Sequence, residues 1–212
     1  MGIAERKERE KEQRKNDIID AAERVFFKKG HENATMDDVA EAAELSKGTL
    51  YLYFKNKEDL YLAIHLRGNR ILHDLFREAV GQQELGIQKA RAIGRAYVDF
   101  FKNHPDYFNA MLYFESRDID FEDQDSMAFE CLVEGRSTLE LLIKSIVTGI
   151  NDGSIRSDID PIKTAINLWG QTTGVLQIAS LKEKMVLMKN FNITAQDVID
   201  YNFDLIYHSL KA

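Results

Sequence analysis

Apolar residues return at three- and four-residue spacing along most of the chain, and this pattern alone restricts the fold to packed helices. Stripes run through Ile18, Ala22, Val25 and Phe26, through Leu60, Ile64, Ile71 and Leu75, and through Ile87, Ala90, Tyr97 and Phe101. They resume at Phe129, Leu132, Leu139, Ile143, Ile146 and Ile150, at Ile162, Ile166, Trp169 and Leu176, and at Val198, Ile199, Phe203, Ile206 and Leu210. No stretch alternates apolar with polar for long enough to make a half-buried strand, and only Pro105 and Pro161 interrupt the chain. The fold class expected is all-α, with no sheet.

Punctuation marks the ends of these helices. Asn151-Asp152-Gly153 offers a helix C-terminus, and Asp160-Pro161 sets a carboxylate cap before a proline at the first helical position, so a sharp reversal belongs between them. Thr35 with Asp38, Asn56 with Asp59, and Thr194 with Asp197 each place a cap side chain three residues before a carboxylate, marking three helix starts. Residues 117–125 are acidic and aperiodic and read as a loop. The first dozen residues, in which Glu alternates with Lys and Arg, read as a solvated helix or a frayed arm spanning 1–15. No internal repeat is found.

A chain of 212 residues can bury a substantial core without staples. The single cysteine, Cys131, excludes an intramolecular disulfide, and the charged opening does not resemble a secretory leader. A soluble protein in the reducing cytoplasm is expected, because no window approaches the roughly 18 apolar residues that a membrane span needs. The net charge of −7 argues, as an average, against a nucleic-acid partner. Its distribution argues otherwise. Residues 1–57 carry 12 Lys+Arg and 12 Asp+Glu, whereas residues 58–212 carry 16 and 23, so the whole deficit lies in the second part. Such asymmetry points to two jobs, and only the neutral part tolerates a polyanion at close range.

Within that neutral part, residues 35–57 (TMDDVAEAAELSKGTLYLYFKNK) compress two very short helices and the start of a third. Val39, Ala40 and Ala43 form a small-residue inner face, Leu45 plugs the turn, and Ser46 caps a second helix whose Leu50 and Phe54 face inward. The opposite face then shows Lys47, Gly48, Thr49, Tyr51 and Tyr53. This set suits DNA: Gly48 lets backbone approach base edges, Lys47 and Thr49 can donate to purine or phosphate acceptors, and the tyrosine hydroxyls can donate to phosphates. Thr35 at the first helix and Lys57 at the first turn of the third complete the candidate DNA-binding residues.

On these residues the segment 18–64 resembles the DNA-binding domain of the TetR/AcrR family of bacterial regulators. The resemblance rests on FFKKG (26–30), ATMDDVAEAA (34–43) and SKGTLYLYFKNKEDL (46–60), with Tyr51, Tyr53-Phe54 and Lys57 at the family's tyrosine, aromatic pair and lysine. Glu44 departs from the pattern: the family usually has glycine at this turn, and a left-handed backbone costs a non-glycine residue about 1 kcal/mol. The resemblance implies a homodimer with an N-terminal three-helix helix-turn-helix domain (1–57) and a larger C-terminal domain (58–212) for effector binding and dimerisation. It further implies a ligand-responsive repressor, with operator DNA and a small-molecule effector as partners.

The C-terminal part resembles the family only in layout. Phe101, Tyr107, Phe108, Met111 and Trp169, with Phe100, Tyr113 and Phe114 nearby, are candidates for an apolar effector pocket, although such residues at helical spacing are also ordinary core. The helix of 162–181 and the last one, 195–210, look similar in placement to the family's four-helix dimer interface, which makes Ile166, Trp169, Gly174, Phe203 and Ile206 its candidates. His65, His73, His104 and His208 fall at no metal-ligand spacing, and Asp118-x-Asp120-x-Glu122 lacks the glycine and closing glutamate of a calcium loop. Cys131 sits inside an apolar stripe and reads as an inert thiol. No metal, cofactor, catalytic triad or nucleotide fingerprint is expected, so the chain reads as no enzyme. A helix-turn-helix relic serving as a protein-interaction module is the alternative.

Overall fold

In the computed structural model the described residues are 2–115, 123–124, 126–181, 186 and 188–212, and nine helices are found among them. They are α1 (Ile3–Lys29), α2 (Met36–Ala42), α3 (Lys47–Tyr51), α4 (Lys57–Gly81), α5 (Gly86–Asn103), α6 (Pro105–Glu115), α7 (Met127–Asp152), α8 (Pro161–Ser180) and α9 (Ala195–Leu210). The described residues contain no strand, only an isolated antiparallel bridge between Ile155 and Lys211, so the molecule is all-α. Apart from Asp123 and Gln124, the acidic run 117–125 lies outside the described residues, as does the Asp118-x-Asp120-x-Glu122 set.

The punctuation works as its chemistry requires. Thr35 Oγ1 accepts from the Asp38 N–H at 3.2 Å, Asn56 Oδ1 from Asp59 at 2.7 Å, and Thr194 Oγ1 from Asp197 at 3.1 Å. Asp160 Oδ1 accepts from both Ile162 and Lys163, the donors that proline at the first helical position leaves exposed. At the end of α1 the N–H of Gly30 bonds the Phe26 carbonyl at 2.8 Å with φ +76°, a conformation that favours glycine. The aromatic run from Phe100 to Phe114 is divided in two: His104 leaves helical geometry, with φ −132°, and Pro105 starts α6.

The chain packs as two compact units. The first combines Met1–Asn69 with Asp106–Val133, and the second combines Arg70–Pro105 with Glu134–Ala212. This grouping differs from the division by function after Lys57, because the segment holding α6 packs with the N-terminal helices.

In the first unit, Ile18, Ala22, Phe26, Val39, Leu50, Phe54, Leu60 and Ile64 are closed to solvent and form one core with Ala110 and Phe114 of α6. Burying side chains of this size contributes about 1.5–3 kcal/mol each. Polar contacts clasp the same helices. Arg67 Nη1 lies 2.7 Å from Asp20 and 2.9 Å from Glu23, and the Tyr107 hydroxyl donates to Glu23 at 2.7 Å. Next to this core His65 is buried, with Nε2 3.1 Å from the Asn69 amide and its ring 4.9 Å from that of Phe114. Burial pushes its imidazole down to about 4, against a smaller upward pull from the Ala110 backbone. Because the folded state resists protonation, the unfolded chain binds the extra proton first, and stability falls as pH drops from about 6.5 towards 4. The expected loss is about 3 kcal/mol once the pH is below both values. Urea midpoints measured at pH 7, 5.5 and 4.5 should fall in step, and His65→Gln should flatten that fall; equal slopes in both proteins would remove His65 as its cause.

In the second unit, Phe76, Ile93, Tyr97, Phe100, Ile146, Ile155 and Leu176 form the interior, and the Tyr97 hydroxyl lies 3.0 Å from Thr173 Oγ1. Leu85 gives α5 no side-chain cap. Its first donors are met from the far end of α7 instead: Asp152 Oδ2 accepts from Gly86 at 2.7 Å, and Ser154 Oγ accepts from Ile87 at 3.1 Å. Gly86 lies so close to Gly149 that a Cβ on Gly86 would stand 1.9 Å from the Gly149 nitrogen.

Candidate nucleic-acid interface

The two shortest helices and their turn are built from local hydrogen bonds. After α2 the N–H of Leu45 reaches back to the Ala40 carbonyl at 2.9 Å, and that of Glu44 to Glu41 at 3.1 Å. This closure needs a left-handed residue, and Glu44 supplies it with φ +56°. A glutamate there is strained, so Glu44→Gly is expected to stabilise the fold by about 1 kcal/mol, net of the extra freedom glycine brings to the unfolded chain. That corresponds to a rise in Tm of about 2–4 °C, readable by calorimetry. An unchanged or lower Tm would mean that the turn stores no strain.

Ser46 then caps α3, its Oγ accepting from the Thr49 N–H at 3.1 Å, while Leu50 and Phe54 are buried beneath. Lys47, Gly48 and Tyr51 are exposed on the opposite side, Thr49 and Tyr53 are half-buried, and Tyr53 packs against the core. Thr35 is exposed, with its hydroxyl engaged in capping α2. A cation, a bare backbone and a phenol thus share one surface of a helix whose other side is fixed by the core. Leu52, 83 % exposed, adjoins them, a residue that the sequence pattern of buried Leu50 and Phe54 passes over.

The charge on this surface is held in check. Lys47 Nζ lies 2.6 Å from Asp37 Oδ1, and that hydrogen bond holds the ammonium above its ordinary value. The pair is open to water on both sides, so breaking it costs little.

These residues coincide with a known pattern. The model of "Bacterial regulatory proteins, tetR family" matches residues 18–64. The uncharacterized HTH-type transcriptional regulator YhgD of Bacillus subtilis is 31% identical over 157 residues, covering 72% of this chain and 76% of YhgD. The chain belongs to the TetR family. It is accordingly a transcriptional regulator with a helix-turn-helix, and not an enzyme.

Similarity to other proteins is local in sequence and general in fold. The fatty acid metabolism regulator protein of B. subtilis is 42% identical over 65 residues, 31% of this chain and 28% of that protein. FadR of B. subtilis, solved with stearoyl-CoA, superposes with a TM-score of 0.69 at 18% identity, covering 91% of this chain and 97% of FadR. AibR, solved with isovaleryl coenzyme A and operator DNA, gives 0.68 at 19%, with 92% and 98% covered.

The remaining candidates of this TetR-family chain occupy quite different settings. Lys57 is half-buried and turns its Nζ inward, donating to the carbonyls of His31 at 2.9 Å and Ala34 at 3.3 Å. Its amine ties α4 to the segment before α2. Of the five effector-pocket candidates, Tyr107, Phe108 and Met111 belong to the first unit and Phe101 and Trp169 to the second. Phe108 and Met111 are buried, and the Tyr107 ring lies on Gly68, where a Cβ would come within 3.1 Å of it. None of the five lines the 420 Å³ groove of the second unit, which runs between α5 and α9 with Arg91, Arg95, Asp99, Asp200 and Phe203 on its walls. Of the dimer candidates, Ile166 is 54 % exposed, while Trp169, Gly174, Phe203 and Ile206 are half-buried. Ile162, Ile178, Tyr201 and Leu205 widen the exposed apolar surface of α8 and α9. The edge of the Phe203 ring fills the space that Gly94 leaves open.

Proposed function

We propose that two copies of this TetR-family protein bind a near-palindromic operator in the cytoplasm, repress transcription by occluding polymerase, and are released by a small-molecule effector. The exposed surface of α3 carries this reading: Lys47, Gly48, Thr49 and Tyr51, supported by Thr35 and Tyr53, form the DNA-contacting set within residues 1–57, while the inward amine of Lys57 holds the start of α4. Residues 58–212 sense and dimerise. The two recognition helices enter successive major grooves about 34–36 Å apart. Exposed aliphatic residues on α8 and α9, which pack together within one copy, support self-association through that face, with Ile166, Trp169, Gly174, Phe203 and Ile206 in or beside it. The acyl-CoA complexes of FadR and AibR make an acyl-CoA the first effector class to test, with Tyr107, Phe108 and Met111 of the first unit and Phe101 and Trp169 of the second as separate candidates for apolar contact with it. An effector acts only through its differential affinity for the two states, so it weakens DNA binding by the factor by which DNA weakens effector binding.

The test is selection of duplexes from a random pool, followed by fluorescence anisotropy at two salt concentrations. A recovered half-site repeat bound steeply and with two protomers per duplex supports the reading, and loss of binding on adding isovaleryl- or stearoyl-CoA supports the effector class. Failure of the selection to enrich any sequence would overturn operator recognition. If Asp37 competes with phosphate for Lys47, Asp37→Asn should tighten operator binding two- to five-fold, the range expected for freeing one exposed pair. Weaker binding would mean that Asp37 positions Lys47 instead.

A further inference from the structure

α1 begins well before the core does. Residues 4–14 are all exposed, and the first buried residue is Ile18, so about 12 residues of helix, roughly 18 Å at 1.5 Å per residue, project as a solvated extension. Three of its cations share one side, while Arg9 and Lys15 lie among the glutamates. Lys7, Lys11 and Arg14 follow i, i+4, i+7 spacing, and the same stripe continues into Ile18 and Ala22, whereas Glu5, Glu8 and Glu12 share another side. Arg6 is paired with Glu10 at 2.7 Å, but none of Lys7, Lys11 and Arg14 has an ion-pair partner among the described residues.

The globular part of the DNA-binding segment has fewer such cations. Residues 16–57 hold six basic and eight acidic side chains. Of the basic ones, Lys29 is bound to Asp38 at 2.7 Å, Lys47 to Asp37 at 2.6 Å, Lys57 to two carbonyls, and Arg24 to the Ala42 carbonyl at 3.3 Å. A net-negative surface on which only the side chains of Lys28 and Lys55 are exposed without an ion-pair or hydrogen-bond partner among the described residues contributes little to holding a polyanion that carries one charge per about 1.7 Å of axis.

We infer that the Lys7–Lys11–Arg14 face of the α1 extension is a second DNA-binding surface, seated on phosphates flanking the sequence read by α3. It rests on the proposed operator binding and adds to it the source of the electrostatic affinity. From Lys7 to Arg14 the helix rises about 10 Å, roughly three nucleotides at 3.4 Å along a strand, enough for one phosphate per cation. Such contacts hold and orient without reading sequence, so the extension raises affinity for all duplexes while α3 sets the choice among them.

The test uses the full chain with Lys7→Gln, Lys11→Gln and Arg14→Gln combined, since glutamine keeps helix propensity. Circular dichroism first establishes unchanged helicity. A Glu5→Gln, Glu8→Gln, Glu12→Gln variant serves as the control on the opposite side. Against the selected operator, carried in a duplex with ten flanking base pairs on each side, the basic-face variant should bind at least ten-fold more weakly at 0.15 M salt. Its plot of log K against log salt should be shallower by about 3 per bound protomer, and its preference for operator over scrambled duplex should be unchanged. The acidic-side control should bind as tightly as wild type or tighter. Wild-type binding with no change of affinity or slope in the basic-face variant overturns the inference and leaves operator binding standing. If the wild type itself binds no duplex, both fall together.

Discussion

Gly86→Ala is expected to unfold the second unit at temperatures where the wild type is intact. The added methyl would stand 1.9 Å from the Gly149 nitrogen, 2.2 Å from its Cα and 2.6 Å from the Ser145 carbonyl oxygen, all of them backbone, so no side-chain rotation relieves the clash. Separating α5 from α7 to make room would pull Asp152 and Ser154 off the N–H groups of Gly86 and Ile87 and leave those donors unmet. Overpacking typically costs about 1–3 kcal/mol where side chains can adjust, and a backbone clash compounded by two lost caps should reach at least the upper end. That is a large share of the roughly 5–15 kcal/mol that a folded domain has in hand. Gly81→Ala, where nothing lies within 4 Å, is the matched control and should be neutral or mildly stabilising. Urea titration followed by circular dichroism decides between them, and a Gly86→Ala midpoint equal to that of the control would mean that the two helices do not touch in solution.

Lys47→Ala combined with Tyr51→Ala should cost at least a hundred-fold in operator affinity and leave stability within about 0.5 kcal/mol of wild type. Both side chains are exposed and neither belongs to the core, so the fold does not depend on them. Two lost contacts per protomer, each worth about 1–3 kcal/mol where they meet bases, account for the magnitude. Gly48→Ala sharpens the test. The nearest atom to a Cβ there is Ser46 Oγ at 4.0 Å, so alanine fits the free protein and favours the helix. Lost operator affinity in an equally stable Gly48→Ala protein would place DNA against that stretch of backbone. Retained affinity in the Lys47/Tyr51 double variant, measured by anisotropy, would transfer recognition away from α3.

Much of this was legible in the sequence because local rules govern it. The apolar stripes marked the long helices, and cap residues three positions before a carboxylate marked the starts of α2, α4 and α9. The α2–α3 segment announced itself through Leu45, Ser46, Leu50 and Phe54, whose spacing permits little else. Lys57 shows where local rules stop: its position in the first turn of α4 says nothing of the carbonyls of His31 and Ala34, which tertiary packing brings to its amine. Glu44 was legible as an exception only by resemblance, and its left-handed backbone emerges from the Leu45 to Ala40 closure. The aromatic set of 100–114 was legible as buried but not as divided, since which unit a helix joins depends on partners distant in sequence. Pro105 was the one local sign of that break.

The first unit is made of two pieces of chain, and this limits how its DNA specificity can be transplanted. A chimera carrying residues 1–57 on a foreign sensor would leave behind Leu60, Ile64, Ala110 and Phe114, which close its core, and Tyr107, which holds Glu23. A biosensor designer seeking to rewire this regulator should therefore move 106–133 together with 1–69, or leave both in place and redesign only the outward residues of α3. Evolution faces the same joinery: recombination at a single crossover exchanges the reader whole only if it falls beyond Val133, and it then carries α5 across as well.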